Sequence, residues 1–372
     1  MAKTILLLFN KEVASLPPFM TILDSLCENY SLKVISHEKE GGKQYLNRIY
    51  HGKNVEFLSK VVENNSASTF LSRLKRRVRK NLRVPSRWHK EASELLMNTP
   101  CSLLWVVHEN AAIEFKKELK DRQYILNIFE LHDITPRFLD ELRPIAQRAQ
   151  SVVVPEYNRA CMLKFWLRLK EIPSVIPNKP FTHPREREIK NEWSPLFVGK
   201  KILLYQGYLN TNRSIDSICR AVIELPEWRI VLLGKGEKEY VNHLKESYPS
   251  VIHIEYIQPP HHLNITSWAR IGVVKYDWFD LNHAYCAPNK TWEYAGFDIP
   301  MIGNELPGLH YSIGKYRAGV LADLDDVEAV KSAILEIDNN YEKYRSNARR
   351  FYNSFEISEE LNKIALKNMK KK

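Results

Sequence analysis

The chain has 372 residues, 44% of them hydrophobic and 27% charged, with a formal net charge of +11. That length exceeds what a single hydrophobic core usually supports and predicts two domains, while the composition excludes wholesale disorder. No segment approaches the run of about 20 apolar residues that a membrane-spanning helix needs, so the pattern also argues against an integral membrane protein.

The first stretch, "MAKTILLLFNKEVASLPPF", has one lysine ahead of five apolar residues and no small-residue cleavage site. It reads as a β-strand from Thr4 to Phe9 and not as a secretion signal, and the expectation is a protein kept in the cytosol. Further on, Asn64 to His89 contains no acid, and Arg73 to Lys90 holds nine Lys or Arg; setting these aside brings the net charge down to +2. Placed at 100° per residue, Phe70, Leu71, Leu74, Val78 and Leu82 share one arc, and Arg73, Lys75, Arg76, Arg77, Arg79, Lys80 and Arg83 fill the opposite one. This basic amphipathic segment, 68–90, fits an anionic membrane surface through 70–83, with Trp88 at headgroup level. The same pattern fits a helix packed on its own domain with a solvated basic face. It also suits a nucleic-acid backbone, but no base-reading module accompanies it, and no nucleic-acid partner is expected.

"YSLKVIS", "SLLWVVH", "YILNIFE" and "SVVVPE" continue the strands of the first half, and "KILLYQG", "WRIVLLG", "VIHIEY" and "RIGVVKY" supply those of the second. Unbroken apolar runs separated by helical patterns predict parallel sheets covered on both faces, hence two doubly wound α/β domains. Prolines and charges in "IPSVIPNKPFTHPREREIKNEWSP" interrupt the periodicity. The expected division is a first domain at 1–178, a linker at 179–195, a second domain at 196–352 and a closing helix with a basic tail at 353–372 that packs back on the first. Five scattered cysteines without C-x-x-C spacing are expected as buried thiols, not as disulfides or zinc ligands.

Ligands of such sheets bind beyond the C-terminal strand ends. After "KILLYQG", Gly207 permits close approach to the backbone and Arg213 adds a cation at a helix start, a combination suited to phosphate. The turn "GKGE", with Lys235 between Gly234 and Gly236, lacks G-x-G-x-x-G spacing and disfavours a nicotinamide or flavin enzyme. Then "RIGVVKYDWFDLNHAYCAPNKTWEYAGFDIPMIG" delivers a strand, a polar and aromatic loop, and a short helix. At its start Asn289, Lys290 and Thr291 suit a diphosphate, and Glu293, one turn in, suits a ribose diol, whose two donors match a carboxylate's two oxygens. Asn289 or Thr291 equally fits a helix cap, and Glu293 a favourable charge near the positive end of the dipole.

The string "NHAYCAPNKTWEYAGFDIPMI" resembles the signature of GT-B glycosyltransferases, in particular glycosyltransferase family 4 of the bacterial surface polysaccharide type. "LLYQGYLNTNRSIDSICRAV", "WRIVLLGKGE" and "VEAVKSAILEIDNNYEKYRSNARRFY" resemble further parts of that domain, in the same order over about 150 residues. The resemblance implies two Rossmann-like domains facing across a cleft, and a nucleotide-diphosphate sugar as donor substrate without a cofactor. It implies Glu293 at the ribose, Arg213 at the diphosphate beside Gly207, and Asn289, Lys290 and Thr291 along the phosphates and donor sugar. Many members carry a second Glu eight residues earlier, facing the transferred sugar; here that position is Tyr285. Asp298 stands where the family usually has glycine. Both departures leave the donor sugar open.

In the first half, "YILNIFELHDITPRFLDEL" places Glu130, His132 and Asp133 after a strand. Sugar transfer needs a proton acceptor for the acceptor hydroxyl and positive charge at the leaving diphosphate. Asp133 is the expected base and His132 the expected sugar contact, while the same groups, and His108, also fit loop hydrogen bonding. No metal is expected: Asp323 to Asp326 read as a helix cap, and His261 and His262 lack a companion ligand. Together these readings predict a metal-independent transferase, peripheral on the inner face of the cell membrane, with a saccharide or polyprenyl-lipid-linked acceptor. A nucleotide-sugar epimerase of the same fold, or a non-catalytic basic protein that binds nucleotide or nucleic acid, is the alternative.

Overall fold

The structure, a computed structural model, describes residues 3–59, 86–187 and 192–369. The chain divides into two compact units, Met1–Ile176 with Ile357–Lys372, and Pro177–Glu356.

The first unit is built on seven parallel strands: β1 (Thr4–Leu8), β2 (Ser31–Ile35), β3 (Val55–Phe57), β4 (Leu103–Val107), β5 (Tyr124–Asn127), β6 (Ser151–Val154) and β7 (Ser174–Val175). Their order is β3-β2-β1-β4-β5-β6-β7. β1 is central because Ile5 to Leu8 are apolar toward both faces and wholly buried, and Ile5 pairs with Leu32 on one side and Leu103 on the other. The last helix, Ile357–Met369, belongs to this unit and packs on the helix Pro17–Leu26, with Asn368 Oδ1 accepting from Ser151 Oγ at 3.0 Å.

The second unit carries six parallel strands: β8 (Lys201–Gln206), β9 (Trp228–Leu233), β10 (Val251–Ile254), β11 (Ile271–Val274), β12 (Met301–Gly303) and β13 (Gly319–Leu321), in the order β10-β9-β8-β11-β12-β13. Alternation along β8 sorts its side chains onto two cores. Leu203 and Tyr205 join the cluster under the helices Asp216–Ile223, Lys238–Ser247 and Val327–Asn339; Ile202 and Leu204 join the one under Asn289–Gly296 and Tyr341–Tyr352. In each sheet the strand order reverses at one place, between β1 and β4 and between β8 and β11, where open α/β sheets form a ligand crevice at the strand ends.

Asn178, expected as the last residue of the first domain, and the start of the segment read as a linker are fastened to the second unit. Asn178 Nδ2 donates to the Ala287 carbonyl at 2.8 Å, and the buried Lys179 ammonium donates to the carbonyls of Tyr352 and Phe355 at 2.8 and 2.6 Å. Trp88 is not at a surface. It opens the helix Arg87–Asn98 and is buried, donating Nε1–H to the Ser36 carbonyl at 3.2 Å with its ring edge-on to Phe115 and His37, because a bulky indole gains more from that pocket than from water. The basic residues 70–83 lie outside the described residues. All five cysteines are free; Cys27, Cys219 and Cys286 are buried, Cys101 is half-buried, and Cys161, expected as a buried thiol, is exposed on the outer face of its helix.

Candidate functional site

In the second unit the groups after β8 and β11 converge on the start of the helix Asn289–Gly296. Gly207 follows β8 with φ +150°, and Gly234 follows β9 with φ +144°; a Cβ on Gly234 would stand 2.1 Å from the Gly207 carbonyl oxygen. The two turns therefore pass backbone against backbone, which only glycine allows. A Cβ on Gly207 would lie 3.2 Å from Lys290 Nζ, so the lysine ammonium sits directly over this turn.

Lys290 is buried. Its ammonium lies 4.9 Å from the Tyr205 ring centroid and 5.5 Å from that of Tyr276. The Arg213 guanidinium stands 4.6 Å from the same Tyr276 ring, at the end of the turn Thr211–Arg213, whose backbone is set by Asn210 Oδ1 accepting from Arg213 N–H at 2.8 Å. Burial, followed by the Arg213 charge, pulls the Lys290 ammonium down to about 8. Among the described residues neither cation forms an ion pair with a carboxylate. The nearest acid on the same helix, Glu293, is taken up elsewhere: Gln206 Nε2 donates to its Oε2, and His262 Nε2 lies 3.2 Å from its Oε1. Gln206 is held in turn by Thr266 Oγ1–H at 2.9 Å.

Packing fixes this helix. The Tyr294 ring lies where a Cβ on Gly272 would sit, and its hydroxyl donates to the Leu204 carbonyl at 3.0 Å, locking the helix across β8 and β11. His183 Nε2 meets the Glu293 carbonyl oxygen at 3.0 Å over Gly296, whose missing side chain makes the room. Burial lowers the His183 imidazole to about 4, so it is neutral at pH 7 and donates that bond. Two residues past the helix end, Asp298 adopts φ +59° and is held by Arg349 Nε at 3.0 Å and Arg185 Nη2 at 3.5 Å. The left-handed backbone explains why glycine suits this position, and short polar Asp tolerates it.

Of the residues expected here, Gly207, Arg213, Lys290 and Glu293 come together. The N-cap is Pro288, which offers no side-chain acceptor, so Asn289 does not cap the helix. Thr291 is buried and donates its hydroxyl hydrogen to the Pro288 carbonyl at 2.8 Å, facing the fold. Tyr285 ends the short helix Leu281–Ala284 just before this turn. Gln206, His262 and Tyr276 were not anticipated at the site. Gln206 directly follows an apolar run and Tyr276 stands one residue beyond another, after Lys275, which is the one signal the sequence offers. His262, expected to be structural, faces Glu293.

In the first unit the strand ends after β4 and β5 surround one carboxylate. Glu109 is fully buried: it accepts the backbone N–H groups of Phe129 and Glu130 at 3.0 and 3.2 Å, and lies 2.9 Å from His132 Nε2 and 3.3 Å from His108 Nδ1. Burial alone would raise its carboxyl, but His108, the His132 bond and the Phe129 N–H outweigh it, and Glu109 stays below the usual carboxylate range. His132, at φ +57°, stacks on Phe138 with centroids 3.9 Å apart and precedes Asp133. Glu109 was missed by sequence reasoning, although it follows the apolar run "LLWVV" immediately after His108. Glu130 points elsewhere, 3.7 Å from Arg159 Nη1.

The acidic run reads as turn and cap chemistry. Asp323 Oδ1 accepts from Asp325 N–H at 2.9 Å, Asp325 pairs with the buried Lys275, and Asp326 caps the helix Val327–Asn339. Among the described residues no group of three or more His, Cys, Asp or Glu is arranged to hold a metal ion.

No family profile and no curated protein matches the chain in sequence. Solved structures do match it in shape. Anabaena HepE in complex with UDP and glucose superimposes with a TM-score of 0.72 at 12% identity, covering 99% of each chain. Sucrose-phosphate synthase from Thermosynechococcus elongatus gives 0.65 at 14% identity, covering 98% of each. WaaG, a glycosyltransferase involved in lipopolysaccharide biosynthesis, gives 0.59 at 13% identity, covering 97% of this chain and 98% of that one. With its parallel sheets of seven and six strands in two Rossmann-like units, the chain has the GT-B fold of these glycosyltransferases.

Proposed function

We propose that the protein transfers a sugar from a nucleoside diphosphate donor, of the kind used by glycosyltransferase family 4, to a saccharide or polyprenyl-lipid-linked acceptor in surface polysaccharide or glycoconjugate synthesis. One observation carries the reading. The buried Lys290 ammonium stands over the Gly207 turn and shares the Tyr276 ring with the Arg213 guanidinium, and among the described residues no carboxylate is paired to either, so their charge is available to an anion that the glycine backbone lets close. A diphosphate supplies that anion, and the presence of UDP or UDP-glucose in the HepE complexes makes a uridine nucleotide the first donor to test.

The chemistry follows from charge. As the acceptor oxygen bonds the anomeric carbon, its proton passes to a base, assigned to Asp133. The bond from that carbon to the diphosphate oxygen breaks, and its electron pair leaves on the diphosphate. Arg213 and Lys290 offset that charge from their own side chains. Glu293 receives the ribose hydroxyls on lone pairs that Gln206 and His262 leave open, those two partners fixing its rotamer. His132, oriented by the ionised Glu109, contacts the sugar. The basic segment 70–83 brings the protein to an anionic membrane where a lipid-linked acceptor resides; among the described residues no helix is long and apolar enough to cross one.

A screen of nucleotide sugars with the purified chain and lipid extracts, reading release of nucleoside diphosphate, tests this function. Release that requires an acceptor is expected. Conversion of a nucleotide sugar without acceptor and without release would make it an epimerase instead.

A further inference from the structure

At the strand ends of the second unit Lys275 is paired with Asp325, but Arg213, Lys235 and Lys290 each meet an aromatic face: Arg213 over Tyr276, Lys235 over Tyr256 at 4.8 Å, and Lys290 between Tyr205 and Tyr276. Other cations of this unit also meet rings, but Arg270, over Tyr341, is paired with Asp338 as well, as Lys201 is, and Lys331 is paired with Glu224. The difference has a physical meaning. A carboxylate partner would cancel the charge, and an incoming anion would have to break an ion pair. The face of an aromatic ring attracts a cation through its quadrupole and leaves the net charge whole.

Resting on the nucleotide-diphosphate reading above, we infer that Tyr276 is a positioning residue that holds Arg213 and Lys290 side by side, against their mutual repulsion, as a preformed diphosphate subsite. Its ring is the surface that both cations share. The backbone beneath it is fixed: Tyr276 N–H donates to Asn304 Oδ1 at 2.9 Å, and the preceding Lys275 is buried and paired with Asp325. The site is thereby organised before the ligand arrives, and little ordering cost remains when it binds. The groups facing Lys290 are Tyr205 on β8, Arg213 on the turn after it, Tyr276 after β11, Cys286 ahead of the helix, and Glu293 on the helix itself. Removing the Tyr276 ring takes away one stabilising face and leaves the repulsion from Arg213, so Lys290 then loses its proton at lower pH.

The test compares wild type, Tyr276→Phe and Tyr276→Leu in the full chain, by titration with UDP and with inorganic pyrophosphate from pH 6.5 to 9, and by NMR titration of the Lys290 side chain without ligand. Tyr276→Phe keeps the ring, and wild-type affinity and midpoint are expected. Tyr276→Leu is expected to bind about tenfold more weakly, with the midpoint of the pH dependence and the Lys290 titration both moved downward, in a variant that still unfolds cooperatively. Wild-type affinity and an unmoved Lys290 titration in Tyr276→Leu would overturn the inference, as would an equal loss in Tyr276→Phe. If wild type binds neither probe but the Leu variant still lowers the Lys290 midpoint, the nucleotide reading falls while the positioning role stands.

Discussion

Lys290 gives the sharpest prediction, because one side chain is asked to weaken the empty protein and strengthen the loaded one. Its ammonium titrates near 8 in the fold against an ordinary value of 10.5, and each unit is about 1.4 kcal/mol, so keeping it charged costs the empty protein about 3 kcal/mol. A lysine with a depressed value destabilises the fold fully below pH 8, and the cost fades as pH rises toward 10.5. Lys290→Met removes the charge and keeps most of the volume, so the variant is expected to melt higher than wild type at pH 7, with a difference that shrinks above pH 9. Binding moves the opposite way. A charge-assisted contact to phosphate contributes about 1.5–3 kcal/mol, which makes the expected loss of UDP affinity about 10- to 150-fold. In wild type the charged fraction falls from about nine tenths at pH 7 to about one tenth at pH 9, so affinity declines about tenfold over that span. In Lys290→Met this component of the pH dependence is absent. Calorimetric titration and thermal unfolding read both effects. A variant that binds UDP as wild type does with the same pH profile, or that melts lower at pH 7, would refute the reasoning.

Three further outcomes are expected. Glu293→Ala weakens UDP more than it weakens 2′-deoxy-UDP, since the carboxylate is assigned to the ribose hydroxyls; equal losses measured by calorimetry would remove that role. Asp133→Ala leaves UDP affinity intact and lowers turnover by roughly 10²- to 10⁴-fold, the usual contribution of a general base, as read by UDP release. Wild-type turnover in that variant, with collapse in His132→Ala, would pass the base role to the pair of His132 and Glu109. Replacing Arg76, Arg77, Arg79 and Lys80 by Gln is expected to abolish flotation with anionic vesicles, and equal flotation would count against the membrane surface as partner.

The sheets were legible because unbroken apolar runs such as Ile5 to Leu8 leave no alternative to a covered parallel strand. Legible too was the cluster around Gly207, since a glycine after β8, a cation six residues on and a short polar helix start all sit where strand ends must lie. What stayed hidden depends on contacts distant in sequence. Nothing local in Gln206 says that it meets Glu293, 87 residues away, and nothing local in Glu109 says that it is buried under His132. Trp88 misled because an aromatic beside a basic stretch suits a membrane surface as well as a pocket, and only the depth of the Ser36 pocket decides. Thr291 could not be read locally for a similar reason: a hydroxyl at a helix start serves a phosphate or the preceding carbonyl, and in the structure it donates to Pro288.

The central claim is that the second unit binds a nucleoside diphosphate through Lys290, Arg213 and Glu293, and calorimetric titration of the full-length chain with UDP, GDP and ADP at pH 7 tests it most directly. We predict saturable binding of at least one of them at a single site, lost or strongly weakened in Lys290→Met. Absence of heat and of thermal stabilisation with all three, in a folded wild-type sample, would contradict it.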